Sequence, residues 1–131
     1  MGFEVKADSK EGYLLITISG EYSLPSTVEA INLILEFCAE HKPSKVLVDV
    51  SPIKGSIPSM DRFYFGEAFA ARYFEEKKSG KVSHARFAFL GKYPIVDPNR
   101  FGETVAVNRG MTLKVSIDRD EALDWLLTEG K

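Results

Sequence analysis

One cysteine, two histidines and no long apolar run set the outer limits of this sequence. A lone thiol, Cys38, leaves no internal disulfide and no cysteine-based zinc site to build. It suits a reducing cytoplasm, the expected compartment. No apolar segment approaches the ~20 residues that a bilayer span requires, so no transmembrane segment is expected. Met1 to Lys6 lack the basic region and apolar core of a signal peptide. An excess of one charge is missing as well: 17 Lys and Arg stand against 19 Asp and Glu, a formal net charge of -2. The basic residues are scattered apart from Lys77, Lys78 and Lys81, so no nucleic-acid partner is expected.

Catalytic signatures are equally scarce. His41 falls at a helix end and His84 at a strand start, neither beside a metal-ligand partner, and Cys38 lies on the apolar face of its helix. Gly66 and Gly102 are single helical glycines, which read as close-packing positions rather than a phosphate-cradling loop. No nucleophile–base pair and no paired acids emerge. The expectation is therefore a protein that is not an enzyme, with no metal site and no cofactor.

What is present is the making of one globular domain spanning residues 1–131. At 44% apolar and 27% charged residues the composition is that of an ordinary globular chain. Phe3 to Ala7 and Tyr13 to Ser19 are β-prone runs joined by the polar segment Asp8 to Gly12, a hairpin pattern. Ser26-Thr27-Val28-Glu29 has the form of a capping box. Val28, Ile31, Leu35 and Cys38 then recur at spacings of three and four, one face of a helix ending near Glu40. Lys45 to Val50 is apolar on both parities, as in a strand covered on both faces. Ser59 is placed as the N-cap of a helix reaching about Lys78 and stopped by Gly80.

Arg86 to Leu90 repeats the two-sided pattern. Asp97-Pro98 opens a third helix that ends at Gly110. Met111 to Ile117 is a strand, and Asp118 with Glu121 opens a last helix carrying Trp125. The order β-β-α-β-α-β-α-β-α predicts an α/β fold: a mixed, largely parallel five-stranded sheet with four flanking helices.

Val46 to Phe65 carries a family resemblance. A buried strand, a polar loop and a helix start at Ser59-Met60-Asp61-Arg62-Phe63 resemble the switch segment of STAS domains, the family of bacterial anti-sigma-factor antagonists. There a Met-Asp-Ser-Ser-Gly-like run offers a serine for phosphorylation; Met60 and Asp61 match, whereas Arg62 and Phe63 stand where the two serines would be. Arg100 to Gly110 and Glu121 to Leu126 are similar to the C-terminal half of the uncharacterised bacterial SpoIIAA-like proteins. The resemblance covers about Phe3 to Leu127. It implies the STAS fold and a regulatory role through binding, without the family's phosphorylation chemistry at Arg62. Ser56 and Ser59 lie nearby as alternative acceptors of phosphate, but turn and cap roles account for them.

Two constellations are candidates for contact. The loops after the parallel strands, where open α/β sheets bind ligands, carry Asp49, Ser51, Lys54, Ser56, Ser59, Asp61, Arg62, Lys92, Tyr93, Asp97 and Arg100. The second helix puts six aromatics into twelve residues, Phe63 to Phe74. At 100° per residue the apolar positions cover about 180°, against the ≳100° stripe a sheet-packed helix needs. Tyr64, Phe63 and Phe74 are the candidate contact aromatics. The leading reading is a protein-interaction or regulatory module, meeting a protein partner or forming a homodimer. The alternative is a carrier of a small apolar or anionic, lipid-like ligand, in keeping with a loose likeness of the SpoIIAA-like proteins to CRAL-TRIO-type lipid binders. A phospho-switched anti-sigma-factor antagonist comes third.

Overall fold

The computed structural model describes residues 3–93, 95 and 101–128. It begins with a hairpin of β1 (Glu4–Lys10) and β2 (Tyr13–Glu21), antiparallel from Glu4 opposite Ser19 to Lys10 opposite Tyr13. The turn is shorter than the five polar residues suggest. Only Glu11 and Gly12 turn, with Gly12 at φ +91, a region glycine enters without Cβ strain. Asp8, Ser9 and Lys10 extend the ladder because an edge strand lets polar side chains stay in water while the backbone pairs.

Helix α1 (Leu24–His41) starts earlier than the Ser26 box. Ser23 is the N-cap: its backbone is extended and its Oγ accepts from the Ser26 amide at 3.2 Å. Pro25 fits the first turn, where a missing amide costs nothing. Val28 faces outward, while Ile31, Leu35 and Cys38 are buried as expected.

After β3 (Lys45–Asp49), a tight turn closed by the Ile53 amide on the Val50 carbonyl leads into β4 (Ile53–Lys54). This two-residue strand, unforeseen in the sequence, pairs parallel with Gly20 and Glu21 and makes the sheet six-stranded. Helix α2 (Ser59–Lys78) follows. Ser59 is not its cap: Pro58 holds that position at φ -60 and ψ 151, with no side-chain cap hydrogen bond, and Ser59 is the first helical residue. Proline's locked φ already suits the boundary, and its carbonyl receives the Asp61 and Arg62 amides.

The chain continues through β5 (Arg86–Leu90), α3 (Phe101–Asn108), β6 (Thr112–Ser116) and α4 (Arg119–Thr128). The expected start of the third helix at Asp97-Pro98 lies outside the described residues. Its expected stop holds, with Gly110 at φ +104. Asp118 caps α4, its Oδ1 accepting from the Asp120 and Glu121 amides at 2.9 and 3.2 Å.

The sheet runs β1-β2-β3-β5-β6, with β2, β3, β5 and β6 parallel. Because the parallel strands progress in one direction, right-handed crossovers put α1, α2 and α3 on one face. Helix α4 packs against β3, β5 and β6 on the other. Strand parity divides the core. Ile16, Val46, Val48, Phe87 and Leu113 join Ile34, Phe69 and Tyr73 under the three helices; Leu47, Ala88 and Leu90 join Ala122 and Leu126 under α4. The aromatic excess of α2 is largely spent here. Phe69 meets Phe87 edge-on at 5.1 Å, Tyr73 meets the same ring at 5.5 Å, and Phe65 stacks on Phe69 at 5.4 Å.

Candidate functional site

At the carboxyl ends of the parallel strands, on the three-helix face, the aromatic core stops short of filling its space. A pocket of about 130 Å³ opens there. Its wall is apolar: Ile18 from β2, Ile34 from α1, Val50 and Ile57 flanking β4, Phe65 from α2, Phe89 from β5, and Leu113 and Val115 from β6. Strand alternation delivers these side chains, since Ile18, Phe89, Leu113 and Val115 share the parity of the three-helix core.

Polar groups enter from the helix starts. Tyr22, immediately after β2, donates its hydroxyl to Asp61 Oδ2 at 2.6 Å and so ties the end of β2 to the first turn of α2. Burial pushes the Tyr22 phenol up to about 12, and the hydrogen bond to Asp61 adds to the shift. Arg62 follows Asp61 at the pocket, and Glu103 reaches it from α3, with its Oε2 accepting from the Val115 amide at 3.0 Å. Thr27, buried in α1, completes the polar side.

The residues expected on one rim are thus split by the sheet. Asp61 and Arg62 line the pocket. Asp49 has the opposite parity on β3 and lies behind the sheet, where its Oδ1 accepts from the Ser51 amide and hydroxyl at 3.0 and 2.6 Å. Its Oδ2 accepts from Arg119 of α4 at 3.1 Å. Lys54, in β4, and Ser56 and Ser59, on the way into α2, are exposed, as are Lys92 and Tyr93 after β5. Arg100 and Asp97 lie outside the described residues. Among the contact aromatics Tyr64 is exposed, whereas Phe63 and Phe74 are half-buried; the Phe74 ring lies edge-on to Tyr73 and beneath Gly110.

Tyr22, Thr27, Glu103 and Arg119 were missed in the sequence. Three of them were within reach of the same strand-end rule: Tyr22 follows β2, Arg119 follows β6, and Glu103 sits in the first turn of the helix after β5. The rim expected from the sequence takes in only the loops after β3 and β5. Among the described residues no cluster of His, Cys, Asp and Glu suits a metal ion, and no helix is long and apolar enough to cross a membrane.

No family model matches the chain, and no curated protein matches it significantly. Solved structures do. An anti-sigma factor antagonist from Mycobacterium paratuberculosis superposes with a TM-score of 0.60 at 16% identity, covering 95% of this chain and 94% of that one. An uncharacterized protein with a SpoIIAA-like fold from Shewanella loihica gives 0.53 at 18% identity, covering 95% and 93%. The unphosphorylated anti-sigma factor antagonist SpoIIAA gives 0.57 at 12% identity, covering 99% and 100%. The chain has a SpoIIAA-like fold.

Proposed function

We propose that this SpoIIAA-like domain is a non-enzymatic binding module that holds a small apolar ligand in the pocket at its strand ends. The observation that carries the reading is the pocket itself, about 130 Å³ of apolar-walled space inside an otherwise ring-filled core. Apolar wall that faces water in place of packed neighbours forgoes hydrophobic burial and dispersion contacts. A ligand restores them. Tyr22, whose phenol is raised to about 12 and whose hydroxyl donates to Asp61, is a poor acid or base near neutrality, which speaks for binding rather than catalysis.

A second reading, contact with a protein partner or a second copy of the chain, is favoured by Met60 and Tyr64. They are 73% and 41% exposed and lie four residues apart on one face of α2. Large, exposed side chains of this kind are typical interface anchors. The two readings meet on the helix: Asp61, Arg62 and Phe65, which wall the pocket, share its first two turns with Met60 and Tyr64. A regulatory module in which the occupant of the pocket sets the contact surface follows from that adjacency.

Native mass spectrometry of protein purified from cells tests both, because it reports retained ligand and subunit count. The expected result is a small molecule lost on unfolding. A bare monomer, unshifted in melting temperature across an apolar compound library, overturns the ligand reading. For the contact reading, Tyr64→Glu should leave the melting temperature unchanged and weaken any association, since a carboxylate would have to be desolvated in the contact.

A further inference from the structure

We infer that the pocket accepts an uncharged molecule carrying a single ring or a chain of about six carbons, and discriminates against carboxylates and lipid-length chains. This deepens the proposed ligand-binding reading and rests on it. Size gives the first limit. An apolar cavity of about 150 Å³ takes one benzene; at about 130 Å³ this pocket takes a group of that scale and not a membrane-lipid tail. The wall favours a ring over a chain, since Phe3, Tyr22, Phe65 and Phe89 are among the residues that line it.

Charge gives the second limit. The ionisable side chains at the pocket, Tyr22 apart, are Asp61, Arg62 and Glu103: two carboxylates and one guanidinium. The lining therefore carries one net negative charge, and an anionic ligand would add a third carboxylate beside two that are already fixed. Like charges at short range raise the cost of ionising either. Asp61 is held by the Tyr22 hydroxyl and Glu103 by the Val115 amide, so neither is set to turn away. A cation meets the opposite obstacle. The surface facing the space is almost wholly carbon, and with both carboxylates already engaged by Tyr22 and Val115 an ammonium would give up its hydration for little. A hydroxyl or amide near Tyr22 and Asp61 escapes both costs.

The test is a titration of the full chain with benzyl alcohol, benzoate, benzylamine and dodecanoate, followed by amide chemical shifts in ¹⁵N-labelled protein. Benzyl alcohol should shift amides at Val50, Phe65, Phe89 and Val115 and bind at least about ten-fold more tightly than benzoate or benzylamine. The same shifts should be lost in Ile57→Phe, a change at the half-buried edge of the wall. That variant's retained fold is checked by the unperturbed amides of α4. If benzoate, benzylamine or dodecanoate binds in the pocket as tightly as the alcohol, the inference is overturned while the ligand-binding reading stands. If no probe shifts these amides at millimolar concentration, the ligand-binding reading falls and takes the inference with it.

Discussion

The two faces of the sheet solve the same packing problem differently. Under α4 the core is small and aliphatic, Leu47, Ala88 and Leu90 against Ala122 and Leu126, and polar contacts close both ends. Asp49 meets Arg119 at one end. At the other, the Arg86 guanidinium lies 4.1 Å from the centre of the Trp125 ring and donates to the Trp125 carbonyl, and Lys45 Nζ donates to the Leu127 carbonyl. Under α1, α2 and α3 the core is larger and aromatic, yet it leaves a pocket at one end. Large rigid rings bury much area but tile a curved interface poorly; short aliphatic side chains do the reverse. A sealed face gives stability alone, whereas the unsealed face keeps a place for something else.

Four measurements sharpen or break that contrast, the largest effect first. Phe69, fully buried among Phe65, Phe87 and Phe89, anchors the aromatic face. Phe69→Ala should cost about 4 kcal/mol in urea unfolding; a loss under about 1 kcal/mol would mean that face is loosely packed throughout. Enlarging a side chain should then separate the faces. Ala88→Leu, in the sealed cluster, should cost about 2 kcal/mol by overpacking. Val115→Ile, at the pocket wall, should stay within about 0.5 kcal/mol because the added methylene has room to enter.

Removing Asp49 comes next. Asp49→Ala strips the acceptor from the Ser51 amide, the Ser51 hydroxyl and Arg119, and should cost about 1–3 kcal/mol. A double-mutant cycle with Arg119→Ala should show coupling, and additive losses would remove the ion pair from the account.

The smallest effect is confined to alkaline solution. Burial raises the Cys38 thiol from its ordinary 9.0 to about 12, so the folded chain holds a proton that the unfolded chain releases. Stability is then unaffected below pH 9 and falls as pH rises from about 9 toward 12. Cys38→Ala should remove the first part of that fall, leaving the part due to Tyr22, whose phenol moves from 10.0 to about 12, and to Tyr73, whose phenol burial also raises. Urea midpoints between pH 8 and 11 check the sign.

The architecture was legible because β-strand and helix periods are local. Tyr13 to Glu21 alternates, Lys45 to Asp49 and Arg86 to Leu90 are apolar on both parities, and the helices follow with their own spacing. Double-sided strands carry a cost in legibility, however. With Val46, Leu47 and Val48 all apolar, nothing local says which parity faces three helices and which faces one. The sequence therefore could not show that Asp49 and Asp61 would end on opposite sides. Capping failed at Ser26 and Ser59 for a related reason: Pro25 and Pro58 each lie next to a helix boundary, and proline geometry placed the true start on a neighbouring residue. The pocket had no local signature at all, since it is space left between side chains from all but one of the ten elements among the described residues, or their flanking loops.

The hairpin at the sheet's margin bears on a different matter, the company this protein can keep at high concentration. An unpaired strand edge invites another chain to continue the ladder and grow toward a fibril. On β1 the outermost strand carries Glu4, Lys6, Asp8 and Lys10 in alternation, all exposed. Charged, hydrated side chains on an edge strand are a device by which natural sheets discourage such growth. This edge should therefore be a poor template for a second chain, and cross-β growth from β1 should be absent while the fold holds.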